Sequence, residues 1–322
     1  GAMVAAYRAR REAGPPPSTG QCCDNLQNNG DVLRRAIVAL ARLTDPGLAQ
    51  WIDETALFPN AMVYCIVPVR GQAELSFVRN IGIEDSVPVT HENYRQWVVE
   101  DRFCAGRPPW EHVGATITDN VHAYESMKIR ILNAGHQVLA NTGEILGIET
   151  IADCMTDPLI PAFFHRVQTR EFLPYVAAVE EIAPEDYLAL IERRFANPKI
   201  RDTTRRVAFD GSSRHPGFVL PILRNALASG GEVDGLALVE ALWARMCAGI
   251  REDRTVIEPN DPFWDQLSAT AGHAKSNPVV WLEMREIYGD LADYPQFADA
   301  FSCWLKLIWS DGVRAALKVY CS

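Results

Sequence analysis

Residues 128–140 read KIRILNAGHQVLA. The run is proline-free and mostly apolar, with Ile, Leu and Ala in the pattern of a helix that is buried. Lys128, Asn133 and His136 interrupt it, and Glu125 stands just upstream. At 100° per residue, with Lys128 as origin, Glu125 falls at about 60°, His136 at about 80° and Asn133 at about 140°. Ile129 and Leu132 lie in the same arc, so this is not a clean solvent face. Two readings follow. Asn133 and His136 are satisfied core groups while Lys128 snorkels outward, or all of them aim into one cavity and form a proton-transfer site. In the second case an apolar wall lowers the lysine pKa toward neutrality. The neutral amine then takes a proton from an alcohol, amide and imidazole donors hold the developing alkoxide, and Glu125 relays the proton outward.

The surrounding 322 residues are 48% hydrophobic, enough for one or two domains. No stretch reaches the 18 or so apolar residues of a membrane helix. The formal charge of -10 and the lack of a Lys/Arg cluster argue against a nucleic-acid partner. Eight cysteines without a CxxC read as free cytoplasmic thiols. Only His112 and His122 approach the clustering a structural metal wants, so no metal is expected. The opening GAM reads as a tag-removal scar, and no signal peptide follows.

Composition shifts near residue 92. Before it, helices are expected at VAAYRARREA, ending at Gly14, and at 30–43, with Asn29 or Asp31 near the cap. Strands are expected at VYCIVPV (63–69) and ELSFV (74–78), with STGQCC a weak third. After it, helices are expected at 91–103, 118–142, 145–153, 157–168, 183–193, 203–208, 217–228, 233–249, 262–269, 276–286 and 294–318. The fold class read here is mainly α. Residues 93–322 form a large all-helical domain, preceded over 1–92 by a truncated α/β, Rossmann-like region.

The stretch YESMKIRILNAGHQVLANTGEILG, with CCDNLQNNG, FPNAMV, QWVVEDRF, DPLIPAFF and RRVAFDGSSRHP, resembles the mannitol dehydrogenase family of long-chain polyol and hexuronate dehydrogenases. The spacings hold over nearly the whole chain. The resemblance implies that Lys128, in K-x4-N-x2-H, is the general base for polyol oxidation and the general acid for ketose reduction. It implies that Asn133, His136 and Asn25 hold the reacting oxygen, and that Glu125 moves the proton between site and solvent. Arg206 and Arg214 lie eight apart across a turn at Asp210–Gly211. By resemblance the first contacts substrate, and the second stands where the family commonly has lysine. Read from the residues alone, both are equally able to be surface ion-pair partners. Tyr64 replaces a substrate-orienting aspartate in the family's M-V-D-R-I-T-P stretch.

The resemblance implies NAD or NADP as cofactor, and a polyol or sugar acid as substrate. However, the sequence holds no G-x-G-x-x-G. Most of the dinucleotide-binding domain is therefore expected to be lacking, with turnover impaired or no nucleotide bound by this chain. The alternative is a non-catalytic sugar-binding or protein-interaction module, with self-association or a partner chain covering the incomplete sheet.

Overall fold

The computed structural model describes residues 1–67 and 71–322. By internal contacts the chain divides into two compact units, Gly1–Glu125 and Ser126–Ser322. The dividing point lies later than the composition shift near residue 92.

The first unit begins with α1 (Ala2–Ala13), α2 (Asn29–Arg42) and α3 (Pro46–Thr55). Gly14 ends α1 in a left-handed conformation that suits glycine. The three helices pack around Tyr7, Ile37, Ala41, Leu48, Ile52 and Phe58. Asp45 caps α3 by accepting from the Leu48 N–H at 2.8 Å. The strands are β1 (Ala61–Tyr64), then, after helix α4 (Gln72–Asn80), β2 (Gln96–Glu100) and β3 (Thr116–Thr118). β1 pairs antiparallel with β2, Ala61 opposite Val99, and β2 pairs parallel with β3, Val98 opposite Thr116.

Three expectations are corrected here. Residues 91–103 hold strand β2 rather than a helix. Val98 and Val99 are both fully buried, and a short run buried on both faces cannot be told from a helix by period alone. ELSFV is part of α4, not a strand. Glu74 reaches back to the Gly71 N–H at 2.7 Å, a helix-start contact, and no residue of α4 is buried. STGQCC forms no strand. Of the strand expected over 63–69, only the first two residues are in β1, and residues 68–69 lie outside the described residues.

Helix α5 (Val121–Met127) runs into the second unit, where three segments adopt the wider π-helical turn. The first, π1 (Lys128–Asn133), leads into α6 (Ala134–Leu146). After α7 (Ile151–Cys154) and α8 (Ile160–Val167) comes π2 (Gln168–Phe172). Then follow α9 (Pro184–Phe195), α10 (Thr204–Ala208) and α11 (Gly211–Arg214), which continues into π3 (His215–Val219) and α12 (Leu220–Ser229). Pro216 cannot donate an amide, which favours the interrupted ladder of π3. Helix α13 (Asp234–Cys247) is buried from Gly235 to Cys247, as its all-round apolar sequence requires. It packs against α6 and against the long helix Pro295–Asp311. The helix expected over 294–318 breaks at Gly312, which has φ 89°. The second unit is helical throughout apart from isolated bridges, so the mainly α reading of the fold holds.

Candidate active site

The π turn changes the phase of the central helix. It takes in one extra residue, so Asn133 stands about where an i+4 residue would, roughly 40° from Lys128. His136 then falls about 20° to the other side, and the three polar residues share an arc of roughly 60°. The α-helical projection had spread the same three over about 140°. Lys128 is 6% exposed, so it does not snorkel into bulk water. Asn133 and His136 are partly buried.

The His136 ring stacks on Phe195, centroids 4.3 Å apart. Burial pushes its pKa down to about 4, with Asp202 opposing and Arg206, Arg214 and Arg194 assisting. The imidazole is therefore neutral near pH 7, able to offer one N–H and one lone pair. The same four charged groups outline the wall beside it, three guanidiniums against one carboxylate.

Arg206 makes a two-pronged pair with Asp202, its Nε donating at 2.6 Å and its Nη2 to the other oxygen. Asp202 is 4% exposed while the arginine side chain is 46% exposed. The ion-pair reading left open by the sequence is thus true of Arg206, yet that pair fixes the guanidinium and leaves Nη1 out of it. Arg214 donates to the Val207 carbonyl at 2.7 Å. Burial and the neighbouring Arg206 push its pKa down. The expected turn between them is present: Asp210 is left-handed at φ 61°, and Gly211 passes so close to Trp243 that a Cβ would sit 2.4 Å from the indole nitrogen. A cleft of about 610 Å³ nearby is lined by Thr203–Arg206, Glu144 and Arg251, among others. It includes Arg206 but none of Lys128, Asn133 or His136, so it is not the hollow expected around those three.

Asn25, Tyr64 and Glu125 belong to the first unit. Asn25 is exposed in the turn before α2. That turn is held by the buried Asn29, whose Nδ2 donates to the carbonyls of Ala61 at 2.7 Å and Asp24 at 3.0 Å and whose Oδ1 accepts from the Ala61 N–H at 2.9 Å. Glu125 is 4% exposed and accepts from the Asn28 N–H at 3.3 Å, with His122 Nδ1 3.6 Å away. The Tyr64 ring is 8% exposed and packs edge-on against Tyr94. Sequence reasoning missed Asn29, Gln168, Asp202, Phe195 and Arg194. Of these Asn29 was legible only as a residue near a helix cap, and Asp202 carried a signal in standing four residues before Arg206, just ahead of α10.

Among the described residues no group of three or more His, Cys, Asp or Glu is placed to hold a metal. No helix among them is long and apolar enough to cross a membrane.

The chain thus pairs a smaller unit holding a three-stranded sheet with a helical unit whose central helix carries polar groups. Residues 120–309 match the mannitol dehydrogenase C-terminal domain and residues 1–112 the mannitol dehydrogenase Rossmann domain. The chain belongs to the mannitol dehydrogenase family. It is 49% identical over 318 residues to the mannitol 2-dehydrogenase of Cereibacter sphaeroides, covering 99% of this chain and 67% of that protein. To the mannitol 2-dehydrogenase of Phaeosphaeria nodorum it is 34% identical, covering 99% and 56%. Among solved structures it resembles the Pseudomonas fluorescens mannitol 2-dehydrogenase ternary complex with NAD and D-mannitol, with TM-score 0.86 and 35% identity over 99% of this chain and 65% of that one. It also resembles a substrate-free D-sorbitol dehydrogenase, with TM-score 0.89 and 31% identity over 98% and 65%. The chain thus spans between about half and two thirds of the length of these relatives. The match over 1–112 corrects the expectation that the Rossmann domain is lacking.

A dinucleotide needs a helix N-terminus or glycine-rich turn whose amides face its pyrophosphate. At three helix starts of the first unit such amides are already engaged. The Gly30 and Asp31 N–H groups of α2 donate to Asn60 Oδ1 at 2.9 and 3.2 Å. Asp45 and Glu74 occupy the starts of α3 and α4. The starts of α2, α3 and α4 are therefore occupied by the protein's own groups.

Proposed function

We propose that this chain carries the substrate-holding and proton-transferring machinery of an NAD-dependent polyol dehydrogenase, interconverting a polyol such as mannitol, or a sugar acid, and its keto sugar. The observation that carries this reading is the π-phased trio of Lys128, Asn133 and His136 beside a wall of arginines. In oxidation Lys128 Nζ takes the hydroxyl proton. Asn133 and the neutral His136 donate to the oxygen as its charge grows, where preorganised donors matter most. The family resemblance gives Asn25 a part in holding the oxygen and Glu125 a part in passing the proton onward. Arg206, through the edge left by Asp202, and Arg214 hold the distal hydroxyls or a carboxylate, and by resemblance Tyr64 stands where the family has a substrate-orienting aspartate. In the family the hydride leaves the same carbon for a nicotinamide. The eight free thiols fit a reducing cytoplasm.

The test is a calorimetric titration with NAD+, NADP+ and NADH, repeated with mannitol, sorbitol and a hexuronate, followed by a hydride-transfer assay. Nucleotide binding and transfer that Lys128→Ala lowers by about a thousandfold or more support the reading. One observation favours a second reading. Asn60, Asp45 and Glu74 occupy amides at the starts of α2, α3 and α4, which fits a module that binds sugar without nucleotide. Polyol binding with no nucleotide binding at millimolar concentration decides for that module.

A further inference from the structure

The π turn that brings Lys128, Asn133 and His136 into phase is held from outside by a group none of the motifs contains. A widened turn leaves a carbonyl without its usual helical donor, and a buried carbonyl needs a partner. The Ile131 carbonyl, in the middle of π1, accepts from Gln168 Nε2 at 2.9 Å. Gln168 is fully buried and is itself the first residue of π2, so one π segment pins the other. Its Oε1 is also buried, and no donor meets it among the described residues. A half-satisfied buried amide is costly, and is not what bulk packing alone would select.

The helix that carries Ile131 is itself shaped to admit this contact. Gly135 lies between Asn133 and His136, and a Cβ there would stand 2.6 Å from Gln168 Nε2 and 2.9 Å from the Phe164 ring. The glycine of NAGH is thus a clearance for the amide rather than a flexible point, since its φ is helical. A second tie comes from Arg130, also in π1, whose guanidinium donates to the Tyr175 carbonyl just beyond π2.

We infer that Gln168 is a positioning residue, which through the Ile131 carbonyl fixes the π turn and so the relative phase of the lysine base and the two groups that hold the substrate oxygen. The role rests on the proposed proton-transfer function only for its kinetic consequence; the hold on the turn stands by itself. Gln168 touches neither substrate nor the reacting proton.

The experiment uses three variants of the full chain. Gln168→Leu keeps the volume and removes the donor. Gln168→Glu can donate only while its carboxyl is protonated. Gly135→Ala crowds the amide with a methyl one turn beyond its acceptor. Amide hydrogen exchange over residues 128–136 is compared with exchange over 234–247 in the same molecules. The expected result for Gln168→Leu is exchange at least about tenfold faster at 128–136, with 234–247 unchanged. Gln168→Glu should match the parent at low pH and lose protection at 128–136 as pH rises, a pH dependence the parent lacks. If Gln168→Leu fails to fold, the pH series of Gln168→Glu decides alone. Unchanged local exchange, or equal acceleration in both regions, overturns the inference. Hydride transfer adds the second readout: kcat lower by about tenfold or more with polyol KM within about threefold, because the distal contacts remain. If Lys128→Ala leaves transfer untouched, the proposed function fails while the exchange result still judges the hold on the turn.

Discussion

Burial keeps the His136 imidazole neutral down to about pH 4, against 6.5 for a free side chain. Between those values the unfolded chain binds a proton that the folded chain refuses. Stability from this group is therefore fully present above pH 6.5 and is lost as pH falls toward 4. The gap is worth roughly 3 kcal/mol at most. Urea titrations at pH 7, 6, 5 and 4 should show this loss, and His136→Gln should flatten that part of the profile. An unchanged profile in the variant would mean the histidine is solvated. At Arg206 the two-pronged pair with the buried Asp202 decides orientation. Arg206→Lys keeps the charge but cannot engage both carboxylate oxygens in parallel. The expected outcome is a polyol KM raised by about tenfold with kcat changed much less. An unchanged KM would confine Arg206 to its ion pair. The sequence named His136 and Arg206. It could not show which carboxylate or ring each would meet, because Asp202 and Phe195 reach them by folding.

At the scale of elements, the helices with caps and all-round apolar faces were legible. Gly14 ended α1 where expected, and α13 is buried as its composition demanded. What failed was period. The phase of 128–136 was computed at 3.6 residues per turn, and the π turn that corrects it is stabilised by Gln168, some 37 residues from its acceptor. The pattern of β2 reads as a helix and that of α4 as a strand, since sheet pairing and lack of burial are properties of partners, not of the segments. Asn29 shows the same dependence: its three-way tie between the CCDN turn and β1 uses only local polarity to find distant backbone. Asn29→Ala leaves the Ala61 N–H and carbonyl buried without that partner. The expected loss is about 2–4 kcal/mol in a urea melt, with the Asn25 turn losing exchange protection. A loss under about 0.5 kcal/mol would show that water replaces the amide.

For the whole molecule, two compact units divide the thiols. Cys23 and Cys303 are exposed, whereas Cys154 and Cys247 are buried, and burial pushes the Cys154 thiol up to about 12. A thiol reagent on the native chain should label the first two quickly and the last two only on unfolding. Rapid labelling of Cys247 would contradict the packing of α13. The sequence by itself determined a mainly α chain with a large helical C-terminal part, read as beginning at residue 93, the family, and which polar residues interrupt the central helix. These follow from local propensity, apolar pattern and motif spacing, all carried by neighbours in the chain. Only the tertiary structure decided the phase of those residues, the ring under His136, the carboxylate on Arg206 and the capping of the helix starts that a dinucleotide would need. Each depends on a hydrogen bond or contact closed over tens of residues, and the partner of such a contact is not encoded near the group it serves.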